Sequence, residues 1–84
     1  RQLCIIIPVL NEANSLPSVL AELQAVPEIE VIVVDGGSRD ETVEVARSFG
    51  ACVISTPPGR AHQMNAGAAI ATADTLLFLH ADTR

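Results

Sequence analysis

Four short apolar runs, set apart by three stretches with helical spacing, restrict this chain more than any other feature. Leu3-Cys-Ile-Ile-Ile-Pro8, Ile29-Glu-Val-Ile-Val-Val34, Ala51-Cys-Val-Ile54 and Thr75-Leu-Leu-Phe-Leu79 are mostly aliphatic, as strands buried in a parallel sheet are. Pro8, which cannot donate to a ladder, is expected to end the first. Leu16, Val19, Leu20 and Leu23 recur at helical spacing, with Asn14 or Ser15 as cap and Pro17 in the first turn, where a missing N–H costs nothing. Ser38-Arg-Asp-Glu41 reads as a capping box opening a second helix. Val43, Ala46 and Phe49 mark that helix's inner face, and Gly50 its left-handed stop. The Ala-rich run from Arg60 to about Ala73 reads as a third helix. Gly67 within it costs about 1 kcal/mol relative to Ala, so close packing or ligand approach should compensate.

The resulting order, βαβαβαβ, calls for an α/β fold with a parallel sheet and right-handed crossovers. With strands two and three stepping outward from strand one, and strand four returning to its other side, the strand order is 3-2-1-4. The topological switch then lies between strands one and four, and ligands of open α/β sheets bind beyond the carboxyl ends at such a point.

With 84 residues the chain can form one small domain or part of a larger one. Five Arg, no Lys and ten acids leave a net charge of −5, which argues against nucleic acid as a partner. An anionic small ligand remains compatible, because a metal, a few Arg or a helix N-terminus can hold it locally. Cys4 and Cys52 fall in expected strands, with no C-x-x-C, and read as buried free thiols of a reducing compartment. The first apolar run, about six residues long, is too short for a signal peptide or a membrane span. A cytoplasmic location is expected, and membrane association would require segments outside these residues.

Several polar residues fall at the expected carboxyl ends. Asn11-Glu12 and His80-Ala-Asp82 emerge on either side of the crevice, with Asp35 one strand further. Asp35 suits either a ribose hydroxyl or base N–H, or an Asx-turn in Asp-Gly-Gly. Glu12 suits either a ligand or the cap of the first helix. Ser38 and Glu41 read as caps, and Asp40 as a complement to the helix dipole. Arg60 is a cation at a helix start, where the dipole disfavours one, so an anion such as a diphosphate is the expected partner. His62 reads as a surface residue and Met64 as core; Asn65 is ambiguous alone. Asp82, a hard oxygen ligand at a strand end, suits a divalent ion bridging phosphate oxygens, or else caps the next element. His80 suits Mn²⁺, a phosphate or a ribose.

Three functional classes fit this pattern: an enzyme handling a nucleotide-diphosphate substrate with a divalent metal, a dinucleotide-binding Rossmann domain, and a receiver-like scaffold. The first βα turn, Pro8-Val-Leu-Asn-Glu12, carries no glycine, which opposes the dinucleotide reading. A scaffold needs neither Arg60 nor acids on three strand ends.

Taken together, Ile-Ile-Pro8-Val-Leu-Asn11-Glu12, Val-Val-Asp35-Gly-Gly-Ser38-Arg-Asp40-Glu-Thr42, Gly59-Arg60-Ala-His-Gln-Met-Asn65-Ala-Gly67 and Leu-Phe-Leu-His80-Ala-Asp82 resemble family 2 glycosyltransferases with the GT-A fold. The resemblance covers almost the whole chain. It implies a three-layer, Rossmann-like nucleotide-diphospho-sugar transferase fold, of which residues 1–84 would be the N-terminal donor-nucleotide-binding part. It also implies sugar transfer from a nucleotide-diphospho-sugar to an unidentified acceptor, usually with inversion and with Mg²⁺ or Mn²⁺. Pro8, Glu12 and Asp35 would frame the nucleoside, with Asn11 beside them. Arg60 and Asn65 would border the base and diphosphate, and Asp82 would match the second acid of a D-x-D metal motif. His80 stands where the first acid is usual, and Met64 where an Arg often precedes the Asn. The catalytic base and acceptor site would lie beyond Arg84.

Overall fold

The computed structural model describes residues 3–81. Its elements are β1 (Leu3–Val9), α1 (Leu16–Gln24), β2 (Ile29–Asp35), α2 (Thr42–Ser48), β3 (Cys52–Ser55), α3 (Arg60–Ile70) and β4 (Thr75–Phe78). The four strands form a parallel sheet in the order β3-β2-β1-β4. This is the expected α/β arrangement.

Alternation along the strands divides the core into two layers. Ile5, Ile7, Val9 and Val33 face α1 and α2 and pack with Leu16, Leu20 and Ala46. Cys4, Ile6, Ile32 and Val34 face the other way, against Ala66 and Ala68 of α3. The crossover rule accounts for this division. The chain steps one way through β1, β2 and β3, then back past β1 to β4, so constant handedness moves the crossover helix to the opposite face. α3 lies close to the sheet because Gly67 has no side chain: a Cβ there would meet Ile6 Cγ2 at 2.5 Å and Val34 Cγ2 at 3.1 Å.

β1 does not end at Pro8 as expected; it continues to Val9 and pairs with β2 along its whole length. The reason lies in which neighbour each residue faces. Ile6 O accepts from Leu79 N on the β4 side, whereas Val9 O accepts from Gly36 N on the β2 side. By alternation the missing N–H of Pro8 points toward β4, so it interrupts only that seam. The β1–β4 register accordingly ends at Ile6 and Phe78, and the strands part where the crevice begins.

Other expectations are corrected locally. α2 begins at Thr42, and Ser38 and Glu41 make no capping box, because the Ser38 hydroxyl accepts from Asn11 N in the neighbouring loop. Among the described residues β4 lies at the sheet edge, as the order 3-2-1-4 implies, with Leu77 51% and Phe78 42% exposed. Cys4 is buried, but Cys52 is exposed at the start of the edge strand β3, and neither forms a disulfide. α3 ends at Ile70, followed by extended Ala71. Gly50 has the expected left-handed φ of 79°. Among the described residues no helix is long and apolar enough to cross a membrane.

Candidate donor-nucleotide site

The loops after β1 and β2 are tied together at the carboxyl end of the sheet. Asn11, in the left-handed region at φ 54°, donates its N–H to Ser38 Oγ at 2.8 Å and accepts from Arg39 N at 2.7 Å through Oδ1. Glu12 N donates to Thr42 Oγ1 at 2.8 Å. Asp40 accepts from Ala13 N, Thr42 N and the Thr42 hydroxyl. The Thr42 hydroxyl bond, foremost, and these backbone donors hold the Asp40 carboxyl below its ordinary value. Asp40 thus joins two loops and closes the start of α2, beyond its expected dipole role.

Asp35 closes β2 and is 4% exposed. Its Oδ2 accepts from Gly37 N and Ser38 N, both at 3.0 Å, which is the Asx-turn that its sequence allowed. Its Oδ1 is buried and has no hydrogen-bond partner. A buried carboxylate oxygen without a donor is costly, so this atom can accept a hydrogen bond beyond those the turn requires.

Beside it lies a cleft of about 270 Å³ lined by Pro8, Val9, Leu10, Glu12, Gly59, Arg60 and Gln63. Val9, in its wall, is the register partner of Asp35. Arg60 is the first residue of α3, whose N-cap, Gly59 at φ 136°, makes no side-chain cap. The Arg60 guanidinium lies 3.2 Å from His80 Nε2. A guanidinium can only donate, so Nε2 accepts and His80 carries its proton on Nδ1. That Nδ1 is buried and has no partner among the described residues.

The fold therefore gathers Pro8, Glu12 and Arg60 around one cleft, with Asp35 against its wall and His80 joined through Arg60. Asn11 stands in the adjoining loop. Asn65 is exposed on α3 and does not line the cleft. Asp82 lies outside the described residues. The sequence reading passed over Gln63, a buried polar residue whose Nε2 donates to Val9 O at 2.9 Å and to Val34 O at 2.8 Å. Its signal was an amide four residues before Gly67, on the sheet-facing stripe of α3.

A divalent ion is the further component implied by the resemblance. Among the described residues no group of three His, Cys, Asp or Glu side chains converges to hold one. His80 Nε2 faces a guanidinium, which opposes a cation. These residues alone do not make a metal site.

The profile of Glycosyl transferase family 2 matches residues 4–84. A PGL/p-HBAD biosynthesis glycosyltransferase of Mycobacterium bovis (strain BCG / Pasteur 1173P2) is 42% identical over 87 residues, covering 93% of this chain and 34% of that protein. An uncharacterized glycosyltransferase of Mycobacterium bovis (strain ATCC BAA-935 / AF2122/97) is 39% identical, covering 93% of this chain and 35% of its own length. The chain thus spans about a third of the length of the curated relatives it matches. Among solved structures, glucosyl-3-phosphoglycerate synthase of Mycobacterium tuberculosis superposes with a TM-score of 0.88 at 29% identity, over 100% of this chain and 36% of that one. The same enzyme in complex with Mn²⁺, uridine-diphosphate and glucosyl-3-phosphoglycerate gives a TM-score of 0.86 at 30% identity, over 98% of this chain and 34% of that one. With a parallel sheet ordered 3-2-1-4, a polar cleft at its switch point and a matching profile from Cys4 onward, this chain belongs to glycosyl transferase family 2.

Proposed function

We propose that residues 1–84 form the donor-nucleotide-binding part of a glycosyltransferase that moves a sugar from a nucleotide-diphospho-sugar to an acceptor. One observation carries this reading: Asp35 Oδ1 is a buried acceptor without a donor, on the residue paired in register with Val9 of a cleft that Arg60 also lines. A nucleobase N–H or ribose O–H supplies the missing donor. Arg60 then faces the diphosphate, where its charge stabilises negative charge that grows as the sugar–phosphate bond breaks. Pro8 and Glu12 frame the nucleoside from the β1 side. The uridine-diphosphate and phosphoglycerate bound by the neighbouring synthase support a nucleotide-sugar donor and a separate acceptor. The dinucleotide alternative finds no support, since the turn after β1 contains no glycine for close pyrophosphate approach.

A divalent metal belongs to the proposal through Asp82. Mg²⁺ takes one or two carboxylates and completes its shell with phosphate oxygens and water, and the neighbouring synthase is described with Mn²⁺ or Mg²⁺ and uridine-diphosphate. When bound, the ion would neutralise charge on the leaving diphosphate. Inversion, and a catalytic base beyond Arg84, complete the reading.

Calorimetry on the full-length protein tests the donor reading. Asp35→Ala should weaken nucleoside diphosphate binding by about 1–3 kcal/mol, the scale of a hydrogen bond to a charged group. Unchanged affinity returns Asp35 to its turn. For the metal, Asp82→Asn should abolish the Mn²⁺-dependent part of nucleotide binding, whereas His80→Asn should retain it. Parent-like binding by Asp82→Asn removes Asp82 from the site.

A further inference from the structure

We propose that Gln63 is a positioning residue that sets Arg60 against Asp35 and so matches the site to a nucleoside carrying a diphosphate; this rests on the donor reading above. Gln63 is 6% exposed, and its amide spends both N–H groups on the sheet, on Val9 O and Val34 O. Val9 closes β1, and Val34 precedes Asp35 on β2. By alternation both carbonyls lie in the seam between these strands: Val9 O also accepts from Gly36 N, while Asp35 O is turned outward to Thr56 N. Gln63 therefore seals the end of one seam, while among the described residues the last bond of the next, between β1 and β4, is Leu79 N to Ile6 O.

Arg60 stands three residues before Gln63, on the same side of α3. Apart from Gln63, this end of the helix is held by the Arg60–His80 contact at the side-chain level. Gly59 provides no side-chain cap, and Pro57, Pro58 and Gly59 are exposed. Asp35, in contrast, is fixed by its own turn and by Thr56, and Gln63 reaches it only through its chain neighbours Val34 and Gly36. Removing the Gln63 amide thus leaves the phosphate-side cation held by His80 alone, while the base-side acceptor keeps its own turn. The chain also keeps space for the amide: a Cβ on Gly36 would meet Gln63 Cδ at 3.0 Å and both terminal atoms at 3.1 Å. That residue directly follows Asp35.

The test uses the full-length protein, with uridine-diphosphate and uridine as probes for calorimetric titration. Gln63→Met keeps the length and removes both donors. We expect its affinity for uridine-diphosphate to fall about tenfold, the scale of one to two lost hydrogen bonds, while uridine changes less than about threefold. A purely structural role would lower both alike. Arg60→Ala added to Gln63→Met should then cost little more, because the cation is already misplaced. Gly36→Ala, which crowds the amide without removing it, should show the same selective loss in weaker form, and it decides the matter if Gln63→Met does not fold. Equal losses for both probes, additive effects of Arg60→Ala and Gln63→Met, or parent-like selectivity in both single variants would overturn the inference. If the parent binds no nucleoside diphosphate at all, with GDP, CDP and dTDP also tried, the donor reading itself fails and takes the inference with it.

Discussion

The two ends of the sheet differ in a way that opposes cavity size to chemistry. At the amino-terminal end a groove of about 480 Å³ runs between α1, α2 and the starts of β2 and β3, lined by Leu20, Leu23, Val26, Val31 and Phe49 among others. At the carboxyl end the cleft is smaller, about 270 Å³, yet it holds a guanidinium, a buried amide and, against its wall, an unpartnered carboxylate oxygen. The larger hollow is where two helix ends and a twisted sheet fail to fill space. The smaller one is where strands stop, loops are tied and polar atoms stay unsatisfied. Unsatisfied polar groups, more than volume, mark a ligand site.

Substitutions at the two ends should separate stability from binding. Leu20, 2% exposed, packs between α1 and the sheet and lines the larger groove. Leu20→Ala should cost about 2–5 kcal/mol of stability through lost transfer energy and a cavity, read by denaturant unfolding. Nucleotide affinity of the protein that remains folded should stay at the parental value; a large loss would mean that the ends are coupled. Gly67→Ala probes the connection between them. Its methyl group would push α3 from Ile6 and Val34, costing about 1–3 kcal/mol by overpacking. Because α3 carries Gln63 and Arg60, nucleotide affinity should fall as well, unlike in Leu20→Ala. Loss of stability with unchanged affinity would show that the rim tolerates movement of this helix.

The smallest effect is expected at Asp40. Its carboxyl titrates below the ordinary aspartate value of 3.8, chiefly through the Thr42 hydroxyl. A depressed folded pKa stabilises the fold above the unfolded value and loses that contribution as pH falls through the folded one. Asp40→Asn should therefore be less stable than the parent near neutrality and converge toward it in acid, below the ordinary aspartate range. Parallel stability curves down to low pH would remove Asp40 from the loop tie.

Much of this was legible along the chain. Apolar runs, helical spacing and the Pro and Gly punctuation are local signals, and with the crossover rule they determined the α/β class and a parallel sheet; the order β3-β2-β1-β4 followed only on the assumption that strand four returns to the far side of strand one. The resemblance of four ordered motifs named the family. Arg60 stood out because a cation fits a helix start poorly unless an anion meets it, whereas Pro8, Glu12 and Asp35 were singled out by their places in the family motifs. Only the tertiary structure decided which polar atoms meet. Ser38 abandoned a cap for Asn11 N, 27 residues away, since a hydroxyl takes whichever donor the packed loops present. Of the two readings of Asp35 the structure carries the Asx-turn, on one oxygen; the other oxygen is left over for the donor proposed above. Gln63 was overlooked because it is one of four polar residues near the start of α3, with Arg60, His62 and Asn65, and they give no periodic signal that marks one as buried. Its two acceptors, 54 and 29 residues distant, come within reach only once β1 and β2 lie side by side and Gly67 lets α3 settle onto them.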